Sequence, residues 1–186
     1  MVKNILIVGA GVAGLHCAQR LAKKAPANAR IMLVDSSDVH TLKADLYEVA
    51  TAFNKEITDE CMVQLKAAVA TPIVSLVDPE RVHFLQDSVM AIDTAKKTVK
   101  LKKNKVLHYD ILVLALGSVT NFFKVPGIEK YAFPLKTVHE ALAINCHLDR
   151  LFRERWTSRS KAKAIHITIG GGGATGGSFA GSVSSR

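Results

Sequence analysis

Gly9, Gly11 and Gly14 stand in the run Gly9-Ala10-Gly11-Val12-Ala13-Gly14, directly behind the apolar stretch Ile5-Leu6-Ile7-Val8. The same spacing returns in Gly171-Gly172-Gly173-Ala174-Thr175-Gly176, behind Ala164-Ile165-His166-Ile167-Thr168-Ile169. Both runs fit G-x-G-x-x-G at a turn from strand to helix. Glycines so placed permit the tight turn and let main-chain amides approach a pyrophosphate at the helix N-terminus. After the first loop, Arg30-Ile31-Met32-Leu33-Val34 reads as a second strand closing at Asp35, about twenty residues beyond Gly14. A carboxylate at that distance accepts hydrogen bonds from ribose hydroxyls and repels a 2′-phosphate. The first loop therefore reads as a dinucleotide site that disfavours NADP. The second loop has a strand before it and a helix start after it, but no acid; a glycine-rich tail is its competing reading. Two such loops in one chain imply two dinucleotides and electron transfer between them.

These loops need elements to hold them. Residues 4–8 read as a buried parallel strand, and a helix follows from Ala13 to Lys24, with Leu15, Ala18, Leu21 and Ala22 at helical spacing. Residues 40–70 read as mixed helical structure with Leu65, Ala68 and Val69 on one face. Short strands are predicted at 82–85, 88–93 and 97–101, where Val99 and Leu101 alternate with lysines as in a half-exposed antiparallel ribbon. Ile111 to Leu116 form a second fully apolar strand, stopping at Gly117. A helix is predicted from Thr137 to Arg155, and a strand at 164–169. The fold class is thus α/β: a Rossmann-like domain over 1–135 with a parallel sheet and an antiparallel β-ribbon, a helical linker over 136–163, and the start of a second Rossmann unit over 164–186. A βαβ module takes about 30 residues. Too few follow Gly176 for that, so the second unit is expected to be cut short.

Charge and composition narrow the function. Of 186 residues 48% are hydrophobic, enough for a real core, and Lys+Arg 25 against Asp+Glu 16 gives a net charge of +9. The basic residues fall into two groups, one of Lys96, Lys97, Lys100, Lys102, Lys103 and Lys105, the other of Arg150, Arg153, Arg155, Arg159, Lys161 and Lys163. No aromatic side chains interleave with the lysines, so nucleic acid is not an expected partner, and solvated faces are favoured over a binding role. Cys17, Cys61 and Cys146 make no C-x-x-C pair, and the seven histidines are scattered, so no metal site is expected. Cysteines so few, odd in number and far apart fit a reducing compartment. No stretch approaches the ~20 apolar residues of a membrane span. The expected location is cytoplasmic, or peripheral on the cytoplasmic face of a membrane in a full-length form.

The first loop continues as Gly14-x-x-x-Ala18-x-x-Leu21, as in FAD-binding members of the pyridine-nucleotide disulfide oxidoreductase superfamily. Leu46-Tyr47-Glu48-Val49-Ala50-Thr51 and Tyr109-Asp110-Ile111-Leu112-Val113-Leu114-Ala115-Leu116-Gly117-Ser118 narrow the likeness, with Val125-Pro126-Gly127 and Leu135-Lys136-Thr137. Together they resemble the N-terminal part of type II NADH:quinone oxidoreductase, a single-subunit flavoenzyme of respiratory membranes. The resemblance implies FAD as cofactor, NADH as donor and a membrane quinone as acceptor. It implies that Gly9, Gly11, Ala13 and Gly14 surround the FAD pyrophosphate and that Asp35, a glutamate in most relatives, holds the adenosine ribose. Val89 matches a position whose backbone meets the adenine, and Ala115 to Gly117 match a strand end against the flavin. Lys43 matches a polar position beside the isoalloxazine, and an ordinary surface lysine remains its alternative. Gly171, Gly173, Thr175 and Gly176 would meet NADH. Tyr47 and Thr51 read as packing residues, and no acid, base or nucleophile is nominated. Ala44 and Ala52 depart from the proline and glycine usual in the family, and Ser178 from a glutamate on the nicotinamide side. The expected fragment lacks the rest of the NADH domain, a later Gly-Asp segment, the quinone-site residues and C-terminal anchoring helices. It is expected to be inactive alone. A nucleotide-binding module without turnover and a sulfide:quinone reductase are the competing readings.

Overall fold

Strand β1 (Asn4–Val8) is almost entirely branched aliphatic, which suits a strand covered on both faces. The computed structural model, which describes residues 3–52, 58–157 and 164–184, follows it with helix α1 (Val12–Lys24). Leu15 and Ala18 of α1 are buried, and Lys23 and Lys24 occupy its last turn, where cations complement the helix dipole. The chain continues through β2 (Arg30–Asp35), β3 (Val39–Thr41), a short helical turn (Lys43–Asp45), α2 (Leu46–Thr51), α3 (Asp59–Val69) and β4 (Ala70–Pro72). Next come β5 (Val82–Gln86), β6 (Val89–Asp93), β7 (Thr98–Leu101), β8 (Val106–His108) and β9 (Ile111–Leu114). Three helices complete it: α4 (Ile128–Tyr131), α5 (Val138–Thr157) and α6 (Ala174–Ser184). Two compact units result, Met1–His40 with Thr71–Ser118 and Thr41–Ala70 with Val119–Arg186.

The first unit is built on a parallel sheet in the order β5-β2-β1-β9. Side chains alternate across it. Ile5, Ile7, Ile31, Leu33 and Val82 face one way and pack with Leu15 and Ala18 of α1. Leu6, Val8 and Val34 face the other way and meet Val99, Leu101 and Leu107 of the antiparallel ribbon β6-β7-β8. Val99 and Leu101 are wholly buried while Lys100 and Lys102 are exposed, the alternation expected of the ribbon. Arg81 ties the end of α1 to the start of β5: its guanidinium donates to the carbonyls of Ala22, Ala25, Pro26 and Ala27, at 2.8 Å for Ala25. Ala22 lies in the last turn, where a helix leaves acceptors without partners, and the planar fork reaches its carbonyl together with those just beyond the helix end.

The second unit centres on α2 and α5. Leu46, Val49 and Ala50 pack against Ala141, Ile144 and Leu148, with Val69 of α3 and the half-buried Phe179 and Val183 of α6. Asn145, fully buried, donates its side-chain amide to the carbonyls of Val49 (3.0 Å) and Ala52 (2.6 Å), closing the end of α2. At the start of α5 the Glu140 carboxylate accepts from the N–H groups of Lys136 and Thr137, and the Thr137 hydroxyl accepts from the N–H of Glu140, a reciprocal cap. The helix expected within a linker is therefore a core element of this unit.

Four sequence expectations change in the structure. Residues 164–170 carry no strand, because no described strand lies alongside to share a ladder, and Ile167 and Ile169 are both exposed. The apolar run at 111–116 is a strand only to Leu114. It forms an edge of the sheet, and Leu114 and Leu116 stand open to solvent at 56% and 66%. On α3 the inner face is Cys61, Leu65 and Val69, with Ala68 outside, since a helix repeats every four residues more nearly than every three. The lysine cluster is divided: Lys96 and Lys97 occupy the β6–β7 turn, and Lys102, Lys103 and Lys105 the β7–β8 turn at the other end of the ribbon. Arg159, Lys161 and Lys163 lie outside the described residues. No helix among the described residues is long and apolar enough to cross a membrane.

Candidate functional site

At the end of β1 the chain turns through Gly9 at φ +101°, in the left-handed region open to glycine. A Cβ at Gly9 would run into the Ala115 carbonyl, and one at Gly14 into the Gly9 carbonyl, also lying 3.2 Å from the Ala115 Cβ. These two glycines are demanded by the protein's own packing. Gly11 is different. Its φ of −67° and ψ of −173° suit any residue, and a Cβ there meets nothing within 4 Å. Its absent side chain leaves the N-terminus of α1 open, and no side chain caps that end. The first N–H groups of a helix have no partner inside it and carry the positive end of its dipole. Val12 and Ala13, in the first turn, are exposed, and no acidic residue occupies that turn. The result is an open cradle for an anion.

Asp35 ends β2 beside this loop. Its Oδ2 accepts the N–H of Ala10 at 2.6 Å, and its Oδ1 accepts the N–H of Ser37 at 2.9 Å. The Ser36 hydroxyl adds a long contact to Oδ1 at 3.5 Å; a carboxylate offers about four acceptor sites, so the half-buried Asp35 keeps acceptor capacity for a hydroxyl, chiefly at Oδ2. The N–H of Asp87 donates to the Asp35 carbonyl at 2.9 Å, directing the chain from β5 into Val89 at the head of β6. The N–H of Ala115 donates to the Val8 carbonyl at 2.8 Å, and Gly117 then turns the chain at φ +72°. Gly9, Gly11, Ala13, Gly14, Asp35, Val89, Ala115 and Gly117 thus gather beyond the carboxyl ends of β1, β2, β5 and β9. That is the edge at which open α/β sheets bind ligands.

One residue there escaped the sequence reading. His40 lies on the three-residue β3, only 8% exposed, with its ring Nδ1 2.9 Å from the Ala10 carbonyl oxygen. A carbonyl can only accept, so Nδ1 carries the proton and donates. No local signal marked it; a lone histidine after a run of small polar residues reveals its partner only once the sheet is assembled.

In the second unit Lys43 opens the exposed turn before α2. The second loop copies the internal form of the first: Gly171 turns at φ +119°, and a Cβ at Gly176 would strike the Gly171 carbonyl. Gly173 and Thr175 are exposed at the start of α6. A cleft of about 510 Å³ lies wholly in this unit, lined by Asp45, Tyr47, Glu48, Thr51, Leu65 and Ser182 among others, and includes neither glycine loop. The Tyr47 hydroxyl donates to Glu48 at 3.1 Å, and this bond, with the repulsion of a second negative charge by Glu48, holds the phenol above its ordinary pKa. Thr51 is buried and donates to the Tyr47 carbonyl at 2.8 Å, as a packing residue does. Among the described residues no three metal-ligating side chains come together.

The curated relatives with which the chain aligns include the type II NADH:quinone oxidoreductases of Staphylococcus saprophyticus, 30% identical over 186 residues, and of Staphylococcus aureus, 31% identical. In each case 99% of this chain is covered but only 44% of the relative, so the chain spans under half the length of these proteins. Among solved structures, the sulfide:quinone oxidoreductase of Aquifex aeolicus superposes with a TM-score of 0.69 at 22% identity, over 82% of this chain and 33% of that one. NDH2 from Plasmodium falciparum, in complex with NADH, does so at 0.65 and 22%, over 87% and 31%. These likenesses show the fold. The family model described as pyridine nucleotide-disulphide oxidoreductase matches residues 3–186, with both glycine loops inside the match. The chain belongs to the pyridine nucleotide-disulphide oxidoreductase family.

Proposed function

We propose that the first unit binds the adenine-dinucleotide part of FAD, and that the protein to which this chain belongs passes electrons from NADH to a membrane quinone. The observation that carries the reading is Gly11, a glycine that neither backbone conformation nor packing requires and that leaves the start of α1 open to an anion. The amides at the start of α1 hold the pyrophosphate, and Asp35 accepts from the adenosine ribose. The main chain at Val89 meets the adenine, while Ala115 and Gly117 bring backbone against the flavin ring. When bound, FAD supplies hydride acceptance from NADH and electron transfer onward; the chain supplies position and electrostatics. Gly171, Gly173, Thr175 and Gly176 take the NADH pyrophosphate in the same proposal. Peripheral attachment to the cytoplasmic face of a membrane belongs to it too, since a quinone acceptor dissolves in lipid.

A narrower reading applies to the 186-residue chain by itself: it binds a dinucleotide without turning over NADH. The exposed second loop, with neither an acid nor a strand ladder among the described residues, favours this.

Competition against bound FAD tests the site. ADP-ribose should displace FAD, and its 2′-phosphorylated form should not, because Asp35 repels that group. Asp35→Ala should weaken FAD binding by about 1.5–3 kcal/mol, the scale of a hydrogen bond to a charged group, and relax the discrimination. Equal competition by both ligands in the unaltered protein would contradict the assignment.

A further inference from the structure

The Ala10–Gly11 peptide lies at the centre of the first loop, and side chains hold the chain on both sides of Ala10. Its N–H donates to Asp35 Oδ2 at 2.6 Å, and its carbonyl accepts from Nδ1 of the buried His40 at 2.9 Å. Gly9 is fixed as well, by donation from its N–H to the Val34 carbonyl at 2.8 Å. The chain contains no cis peptide among its described residues, and in a planar trans peptide the C=O and the following N–H point in opposite directions. Holding the Ala10 carbonyl toward His40 therefore sets the direction of the Gly11 N–H, away from the histidine.

We propose that His40 is a positioning residue for the first loop: through the Ala10 carbonyl it aims the Gly11 amide at the dinucleotide pyrophosphate. This rests on the reading of that loop as a dinucleotide site. Asp35 then acts twice, holding Ala10 from one side and the ribose from the other. His40 makes no contact with the ligand. Its effect requires a ring nitrogen that carries hydrogen at Nδ1, and Ala10, 2% exposed, leaves its carbonyl no ready replacement from water.

Two readouts on the purified chain test this. The first needs no ligand: nitrogen-resolved NMR of the neutral His40 ring should place the proton on Nδ1 and leave Nε2 bare, opposite to the tautomer that free imidazole side chains favour. The second compares FAD dissociation constants. His40→Leu, which fills space without donating, should bind FAD about tenfold more weakly or worse, the scale of one buried acceptor left unpaired. His40→Asn, whose amide can present an N–H near the place of Nδ1, should stay within about threefold of the unaltered protein. A proton on Nε2 would overturn the proposal without any variant having to fold. Equal losses in the Leu and Asn variants would reduce His40 to packing and overturn it as well. If the unaltered chain fails to bind FAD, the dinucleotide reading itself fails and the role of His40 falls with it, whatever the tautomer.

Discussion

The two glycine loops have nearly the same internal form and very different surroundings. In both, the first glycine turns in the left-handed region and the last lies so close to the carbonyl of the first that a Cβ would collide with it. The first loop is anchored from outside: Gly9 lies against Ala115, Ala10 is gripped by Asp35 and His40, and β1 enters it from between two strands. Around the second, the residues from Ile167 to Thr175 are exposed, and no strand leads in. A G-x-G-x-x-G run thus encodes the turn itself. The surrounding sheet fixes its direction, because only fixed neighbours can hold the amides in one orientation.

Substitutions at matching positions separate the turn from its anchoring. Gly14→Ala should destabilise the first unit by about 3 kcal/mol, because the methyl group meets fixed backbone on one side and Ala115 on the other. Gly176→Ala creates the same internal collision, but an exposed loop can shift to relieve it, and the expected cost is about 1 kcal/mol or less. Urea unfolding of the two variants measures the difference. Equal losses would mean that the second loop is held as firmly as the first.

The smallest effect is expected from the lysines on the outer side of the ribbon that covers the first sheet. All but Lys100, which lies on β7, occupy the turns at opposite ends of the meander instead of forming one patch, and the Lys96–Asp93 pair, at 3.8 Å and largely exposed, adds little. Glutamate at Lys96, Lys97, Lys100, Lys102, Lys103 and Lys105 should leave binding of the protein to anionic vesicles almost unchanged. Docking lysines would each contribute about 1 kcal/mol. A large, salt-sensitive loss would show that the ribbon is a membrane contact.

Much of the first unit was legible in the sequence because its signals are local. Ile5 to Val8 read as a buried strand and Arg30 to Val34 as a second strand from composition alone, and Val99 and Leu101 set the inner face of the ribbon by alternation. The glycine spacing and the position of Asp35 pointed to the edge beyond the carboxyl ends of β1 and β2, where the loop and the carboxylate meet. Other features depend on partners distant in sequence. His40 matters only because β3 carries its ring to Ala10, and Arg81 only because β5 starts beside the end of α1. The apolar run before the second loop has strand composition, but a strand exists only where another pairs with it. Helix α5 looked like a connection because nothing in its own sequence names α2 as the surface it covers.

The most direct test of the central claim, that the open start of α1 in the first loop holds the dinucleotide, is titration of the chain with FAD before and after Gly11→Val. The backbone at Gly11 accepts valine, and its Cβ enters empty space. The variant should therefore unfold at the same urea concentration as the unaltered chain yet lose saturable FAD binding, whereas Gly173→Val, the same change in the second loop, should leave FAD binding intact. Undiminished FAD binding by a folded Gly11→Val chain would contradict the account.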